Sequence, residues 1–174
     1  MKIPALESER LTLTGHRVED YADCAAMWSD PVVTRYIGGK PATREDSWRK
    51  VLLHAGHWAL MGFGYWVVRE KATGAFVGEV GLADFKRELT PSLDGAPEMG
   101  WALVPSAHGR GFATEAVRAA LAWSSKHFGE TRTVCLIAAG NLPSLRVAEK
   151  CGYREFARTT YKSDPAILFE RRSG

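Results

Sequence analysis

Residues 98–116 read Glu98-Met99-Gly100-Trp101-Ala102-Leu103-Val104-Pro105-Ser106-Ala107-His108-Gly109-Arg110-Gly111-Phe112-Ala113-Thr114-Glu115-Ala116. The run 98–104 predicts a strand, Pro105 and two glycines predict a loop, and a helix follows over 113–128. That helix places Val117, Leu121, Ser124 and Phe128 on one face and Glu115, Arg118, Ala122 and Lys126 on another. Gly109 and Gly111 let a backbone approach a ligand closely, and the first unpaired N–H groups of the helix point into the loop. Such a helix start binds phosphate oxygens, aided by the positive end of the helix dipole. The same glycines would equally serve a bare strand-to-helix turn that needs positive φ. A P-loop is excluded, because no Lys-Ser/Thr pair closes a longer glycine span. A dinucleotide fingerprint lacks its third glycine, since Thr114 stands there.

Downstream, the pattern predicts a strand over 133–138, a helix over 143–150 and strands over 153–159 and 166–171. Upstream, Leu11-Thr12-Leu13-Thr14 alternates as a strand, and Tyr21, Ala25 and Trp28 mark a helix over 18–29 that stops before Asp30-Pro31. Thr43 followed by Asp46 resembles a capping box for a helix through Trp48, Val51, Leu52 and Ala55. Residues 64–69 and 76–82 form a predicted hairpin around Lys71-Ala72-Thr73-Gly74, and 88–96 a loop. This alternation predicts an α/β (α+β) layer fold with a mixed sheet. No repeat or linker interrupts the chain, so one domain over 1–174 is expected.

The composition is that of an ordinary globular chain: 174 residues, 45% hydrophobic and 25% charged, with net charge +3. That balance gives no reason to expect nucleic-acid binding. Residues 1–104 carry 12 basic and 14 acidic side chains, residues 105–174 carry 11 and 6, so the second part suits an anionic ligand or is simply a solvated face. Cys24, Cys135 and Cys151 show no CxxC spacing, which argues against a disulfide framework or zinc site and for a reducing compartment. No signal-peptide core or membrane-spanning run is present. The expectation is a cytoplasmic protein without membrane attachment. Five histidines offer no pair at metal-ligand spacing, so no metal is expected.

Residues 98–116 closely resemble the signature of the GNAT N-acetyltransferase superfamily, in which this strand, loop and helix bind acetyl-coenzyme A. The family pattern Gln/Arg-x-x-Gly-x-Gly/Ala falls on His108-x-x-Gly111-x-Ala113. His108 departs from Gln/Arg and fits the ribosomal-protein N-acetyltransferase-like (RimJ/RimL-type) branch, where an aromatic is common. Asn141-Leu142-Pro143-Ser144 through Glu149-Lys150-Cys151-Gly152-Tyr153 resembles a second family element. Asn141 would also cap its helix and Gly152 would end it. Further matches lie in 8–20, 29–46 and 77–85.

The resemblance implies a mostly antiparallel sheet splayed open between two parallel strands, here 98–104 and 133–138, with helices on both faces. The pantetheine arm would lie in the gap against the backbone of Leu103 and Val104. The amides of His108, Gly109, Arg110, Gly111, Phe112, Ala113 and Thr114 would receive the pyrophosphate, with Asn141 facing the same loop. Arg110 is either a phosphate partner or a solvated arginine. The reaction would be direct attack of an amine on the thioester, and the cysteines agree: Cys135 reads as core and Cys151 as structural. Where many members carry a proton-donating tyrosine, this chain has Ala148. Ser144, one turn earlier on the same helix face, matches the serine of the favoured branch, or else bonds a backbone amide near Asn141.

An alkyl ammonium near pKa 10 costs about 4 kcal/mol to deprotonate at pH 7, and a peptide α-amine near 8 only about 1–1.5 kcal/mol. A general base therefore matters more for a side-chain amine. Glu98, which begins the strand holding the thioester, is the first candidate and Glu79 the second; either could instead be a paired carboxylate. Trp28, Tyr36, His57 and Trp66 are candidates to line the acceptor site with Glu79, or are plain packing residues. The expected partners are acetyl-coenzyme A and a primary amine, either a protein N-terminus or a small molecule such as an antibiotic or polyamine. A non-catalytic acyl-coenzyme-A sensor is the rival from another class. A monomer or homodimer is expected.

Overall fold

The computed structural model describes residues 2–173. Eight strands form one sheet in the order β1-β2-β3-β4-β5-β6-β8-β7. The strands are β1 (Leu6–Glu7), β2 (Leu11–Thr14), β3 (Tyr65–Glu70), β4 (Phe76–Ala83), β5 (Glu98–Leu103), β6 (Arg132–Ala138), β7 (Arg154–Tyr161) and β8 (Asp164–Arg172). Every neighbouring pair is antiparallel except β5 with β6. The mixed, mostly antiparallel sheet expected from the sequence is thus the architecture found.

The helices α1 (Tyr21–Ser29), α2 (Pro31–Thr34) and α3 (Arg44–Met61) cover one face of the sheet, and α4 (Phe112–Phe128) and α5 (Leu142–Lys150) the other. Strand alternation sorts the side chains. Trp66, Val68, Val80, Leu82, Met99 and Leu103 join Phe112, Val117, Ala120 and Leu121 of α4 in the main core. Ala102 points the opposite way and packs with Met27 and Trp28 of α1 and Val33 of α2. No helix among the described residues is long and apolar enough to cross a membrane.

Several boundaries differ from the sequence reading, each for a local reason. The segment 18–29 is not one helix: Val18–Asp20 is a 3₁₀ turn ahead of α1. There the buried Asp20 carboxylate accepts the Arg17 N–H and the Arg69 guanidinium. Asp30-Pro31 does stop α1, but Asp30 then caps the short α2 by accepting the Val32 N–H at 2.8 Å. Thr43 caps α3 through the Asp46 N–H, and α3 runs on to Met61, where Gly62 takes a left-handed φ of 73°. The extra turn carries exposed Leu60 and Met61, which break the amphipathic pattern. The β7–β8 hairpin turns on Lys162 and Ser163, both at positive φ and neither a usual turn residue there.

Two glycines in this sheet and its helices have opposite surroundings. A Cβ on Gly81 in β4 would sit 2.3 Å from the Tyr65 Cα and 2.4 Å from the Gly64 carbonyl oxygen, whereas Gly56 in α3 has open space around it. Gly81→Ala should therefore destabilise the fold by about 1–3 kcal/mol through overpacking against backbone. Gly56→Ala should stabilise it by roughly 0.5–1 kcal/mol through helix propensity. Denaturant midpoints of the two variants measure both; equal midpoints would contradict this packing.

Candidate active site

Strands β5 and β6 share a single register pair, Glu98↔Val134, with the Val134 N–H on the Pro97 carbonyl at 3.1 Å. Beyond that pair they diverge, leaving a gap along β5. Val104 N–H is committed to Val77 O and Val104 C=O to Ala107 N–H, each at 3.0 Å. Antiparallel alternation then turns the backbone groups of Trp101 and Leu103 toward the gap. The Leu103 carbonyl accepts from His108 Nε2 at 2.9 Å. The backbone edge facing the gap is therefore Trp101 and Leu103, and Val104, expected there with Leu103, is turned into the sheet.

At the end of β5 a 3₁₀ turn (Pro105–Ala107) leads into the glycine loop, and Gly109 and Gly111 both adopt left-handed φ, 72° and 77°. Gly111 is the N-cap of α4 and supplies no side chain, so the first intrahelical bond is Glu115 N–H to Gly111 O. The amides of Phe112, Ala113 and Thr114 are thus the free N–H groups of the first turn. Phe112 contributes only its amide, since its ring is buried in the core. Arg110 is held by Glu70 at 2.5 Å and lies over the Phe112 ring. The sequence reading passed over Arg10. Its Nε meets Glu115 at 2.7 Å, its Nη1 meets the Arg110 carbonyl, and its Nη2 lies 3.4 Å from where a Gly111 Cβ would be. Only the fold shows this, because Arg10 stands 100 residues before Arg110.

Across the gap, Asn141 caps α5 by accepting the Ser144 N–H at 3.3 Å. Among the described residues the Ser144 Oγ bonds no backbone amide. It accepts the indole N–H of Trp101 at 3.2 Å, a contact the sequence reading did not identify. Ala148 on the same helix is fully buried in the main core.

The α1–α3 face of β4 and β5 holds a buried polar set. Glu79, fully buried, accepts from His16 Nε2 at 2.6 Å, from Trp28 Nε1 at 2.6 Å and from Cys24 Sγ at 3.4 Å. Burial alone would raise the Glu79 pKa. The His16 and Trp28 hydrogen bonds outweigh it and hold the carboxyl below its usual range. Burial pushes His54 down to about 3, so it is neutral, and it stacks on Tyr65 at 4.4 Å between ring centroids. Burial, reinforced by the Glu79 charge, pushes the Cys24 thiol up, so it is no nucleophile. His16, Cys24 and Glu79 offer ligand atoms within 4.8 Å of one another, yet they already partner each other in hydrogen bonds.

Glu98 spends both oxygens on Arg87, at 2.6 and 2.8 Å, and Arg87 also donates to the Tyr161 hydroxyl. Its geometry is that of the paired carboxylate. The expected acceptor residues do not gather in one place. His57 is locked between the Leu53 carbonyl and the Asp84 backbone. Tyr36, 38% exposed, lies against Gly140 beside the cap of α5. Trp66 points into the core beneath α4 and donates to the Pro4 carbonyl, on the opposite face from Glu79.

Comparison with known proteins places this geometry among relatives. Residues 10–154 match a family model described as an acetyltransferase (GNAT) domain. Protein YkkB of Bacillus subtilis (strain 168) is 31% identical over 151 residues, spanning 84% of this chain and 83% of that protein. A GnaT-family acetyltransferase from Bordetella pertussis superposes with a TM-score of 0.86 at 30% identity, over 97% of this chain and 99% of the other. Spermidine N-acetyltransferase from Vibrio cholerae, solved with CoA and spermine, shares the fold at a TM-score of 0.75 and 17% identity, over 95% of this chain and 96% of the other.

The Glu79 set has a pH signature. A carboxyl whose folded pKa is depressed contributes stability that is complete above its unfolded value, about 4.3, and is lost as pH falls toward the folded value. The wild-type protein should lose stability below about pH 4.5, and Glu79→Gln should show a shallower loss there while costing about 1–3 kcal/mol at neutral pH. Denaturant titrations between pH 3 and 7 test this; parallel curves for the two proteins would count against an ionised Glu79.

Proposed function

The chain belongs to the GNAT acetyltransferase family, and from that premise we propose that it transfers acetyl from acetyl-coenzyme A to a peptide N-terminus, in the manner of the ribosomal-protein N-acetyltransferase-like branch. The donor site rests on the open gap beyond the Glu98↔Val134 pair and on the free amides at the start of α4. The residues fit the coenzyme: backbone groups of Trp101 and Leu103 flank the gap, and the loop from His108 to Thr114 offers N–H groups beside Arg10 and Arg110. Asn141 serves by fixing the start of α5 and so placing Ser144. Ser144 supplies the proton for the departing thiolate, and the amine attacks without an acyl-enzyme. The raised thiols of Cys24, Cys135 and Cys151 agree with that order.

The acceptor is argued from the two buried carboxylates. Glu79 is satisfied by His16 and Trp28, and Glu98 by Arg87, so neither has a free oxygen to take a proton or to hold a polycation. A peptide α-amine needs such help least, since its deprotonation at pH 7 costs only about 1–1.5 kcal/mol. A polyamine or aminoglycoside would need both a base and several anionic contacts. Glu98 on this reading positions Arg87, which lies between Phe85 and Tyr161.

Two expectations follow from this assignment. In a panel of acceptors with acetyl-coenzyme A, N-terminal peptides should exceed spermidine and aminoglycosides in kcat/KM by at least about tenfold. Their rate should rise with the titration of the amine itself, with no limb from an enzyme carboxylate between pH 5 and 7. Preference for a polycation would transfer the assignment to small molecules, and coenzyme binding without turnover would make the protein a sensor. Separately, Gly111→Asp puts a carboxylate among the free amides, where it would also attract Arg10. Coenzyme affinity measured by calorimetry should fall about tenfold or more, roughly 1.4 kcal/mol, and unchanged affinity would remove this loop from the coenzyme site.

A further inference from the structure

The indole N–H of Trp101 ends on the Ser144 Oγ at 3.2 Å, linking β5 to α5 across the open gap. Trp101 is half-buried on the α4 side, packed against the main core, so its ring has a fixed seat. Ser144 is also half-buried, and its hydroxyl donates to no acceptor among the described protein groups. An indole N–H only donates, whereas a hydroxyl both donates and accepts. The contact therefore has one polarity: Trp101 fills a lone pair of Oγ and directs the Ser144 hydrogen elsewhere.

We propose that Trp101 is the positioning residue for Ser144, setting its rotamer and aiming its O–H into the gap between β5 and β6. This rests on the reading of Ser144 as proton donor in the acetyl transfer. In that step the amine lone pair forms the new C–N bond and the C–S bonding pair returns to sulfur. The sulfur takes the proton of Ser144 Oγ, and the proton lost by the acceptor nitrogen restores the hydroxyl through water. A donor on the Oγ lone pair polarises the O–H and favours the serine oxygen while it bears negative charge, so the bond strengthens as the proton leaves. Unconstrained, a serine at this place near the start of α5 has two competing uses, bonding the Asn141 side chain or the Gly140 carbonyl one turn back. The structure shows neither use: the Ser144 Oγ sits on the Trp101 indole N–H, and Asn141 takes the Ser144 backbone N–H, so on this reading the indole holds the rotamer that leaves the O–H to the gap.

Trp101 does not supply the proton and touches the reaction only through Ser144. Its place in the sequence, second before the end of β5, gives the reason for a tryptophan. From a strand the donor must reach across the widening gap to the first turn of a helix, and the indole offers a rigid N–H that can only donate, whereas a tyrosine hydroxyl could also accept the Ser144 hydrogen.

The test is a double-mutant cycle on the full-length protein with acetyl-coenzyme A and a peptide acceptor. Trp101→Phe keeps a ring in the core and deletes the N–H. It should lower kcat about tenfold, with coenzyme affinity by calorimetry unchanged within about twofold. Ser144→Ala should lower kcat on the order of tenfold to a hundredfold, and the double variant should be no worse than Ser144→Ala. Full additivity of the two losses, or a wild-type kcat in Trp101→Phe beside an impaired Ser144→Ala, overturns the positioning role alone. A wild-type kcat in Ser144→Ala overturns the proton-donor reading beneath it. A second measurement covers a Trp101→Phe protein that fails to fold. In ¹⁵N-labelled protein the Trp101 indole N–H resonance should shift in Ser144→Ala and the other five indoles should not. A Trp101 resonance indifferent to that change shows that no hydrogen bond joins the pair.

Discussion

Everything distinctive in this molecule depends on one failure of strand pairing. Hydrogen bonds hold β5 to β6 only at Glu98↔Val134, and from there the two parallel strands part. An open edge inside a sheet leaves backbone donors and acceptors without partners, a cost that proteins accept where something else will pair with them. Here the open edge is that of Trp101 and Leu103, with the Leu103 carbonyl taken by His108, and it leads directly to the free amides of α4. The sheet remains whole because both flanks are strongly tied. Antiparallel ladders run from β1 through β5 on one side and link β6, β8 and β7 on the other.

The sheet also separates two faces that are chemically unlike. On the α4 and α5 side lie the large apolar side chains of the core, with Trp101 and Ser144 as the polar contact at the gap. On the α1–α3 side the alternating positions of β4 and β5 carry Glu79, Glu98, Gly100 and Ala102, with histidines and aromatics above them. Buried charge on that side is tolerable because each carboxylate is matched: Glu79 by two N–H donors and Glu98 by a bidentate guanidinium. Both carboxylates of the α1–α3 face are therefore already committed to partners within the fold.

The acetyltransferase family was legible in the sequence because its motifs are local. A strand, a two-glycine loop and a helix start lie within 19 consecutive residues, and the backbone conformations that loop requires are written in Gly109 and Gly111 themselves. Two helix caps were equally readable, since Thr43 and Asn141 each act within three residues of their own position, whereas Asp30 was read only as a stop and its capping of the short α2 was missed. What failed was the reading of isolated side chains. Trp66 looked like an acceptor-site aromatic, but the parity of β3 sends it to the other face, and one residue of register separates the two outcomes. Val104 looked like part of the open edge for the same reason.

By itself, then, the sequence determined the order of the longer elements, though not the short β1 and α2, together with the location of the glycine loop at a helix start and the family to which the chain belongs. All of these are encoded by neighbours in the chain through periodicity, capping and turn chemistry. Only the tertiary structure decided which carboxylates are paired, that Arg10 joins the loop of Arg110, and that an indole reaches Ser144. Those facts bring together residues 11 to 105 positions apart, from Arg87 with Glu98 through Trp101 with Ser144 to Arg10 with Glu115. Contacts of that range are set by sheet order, strand parity and burial, and no local pattern carries them.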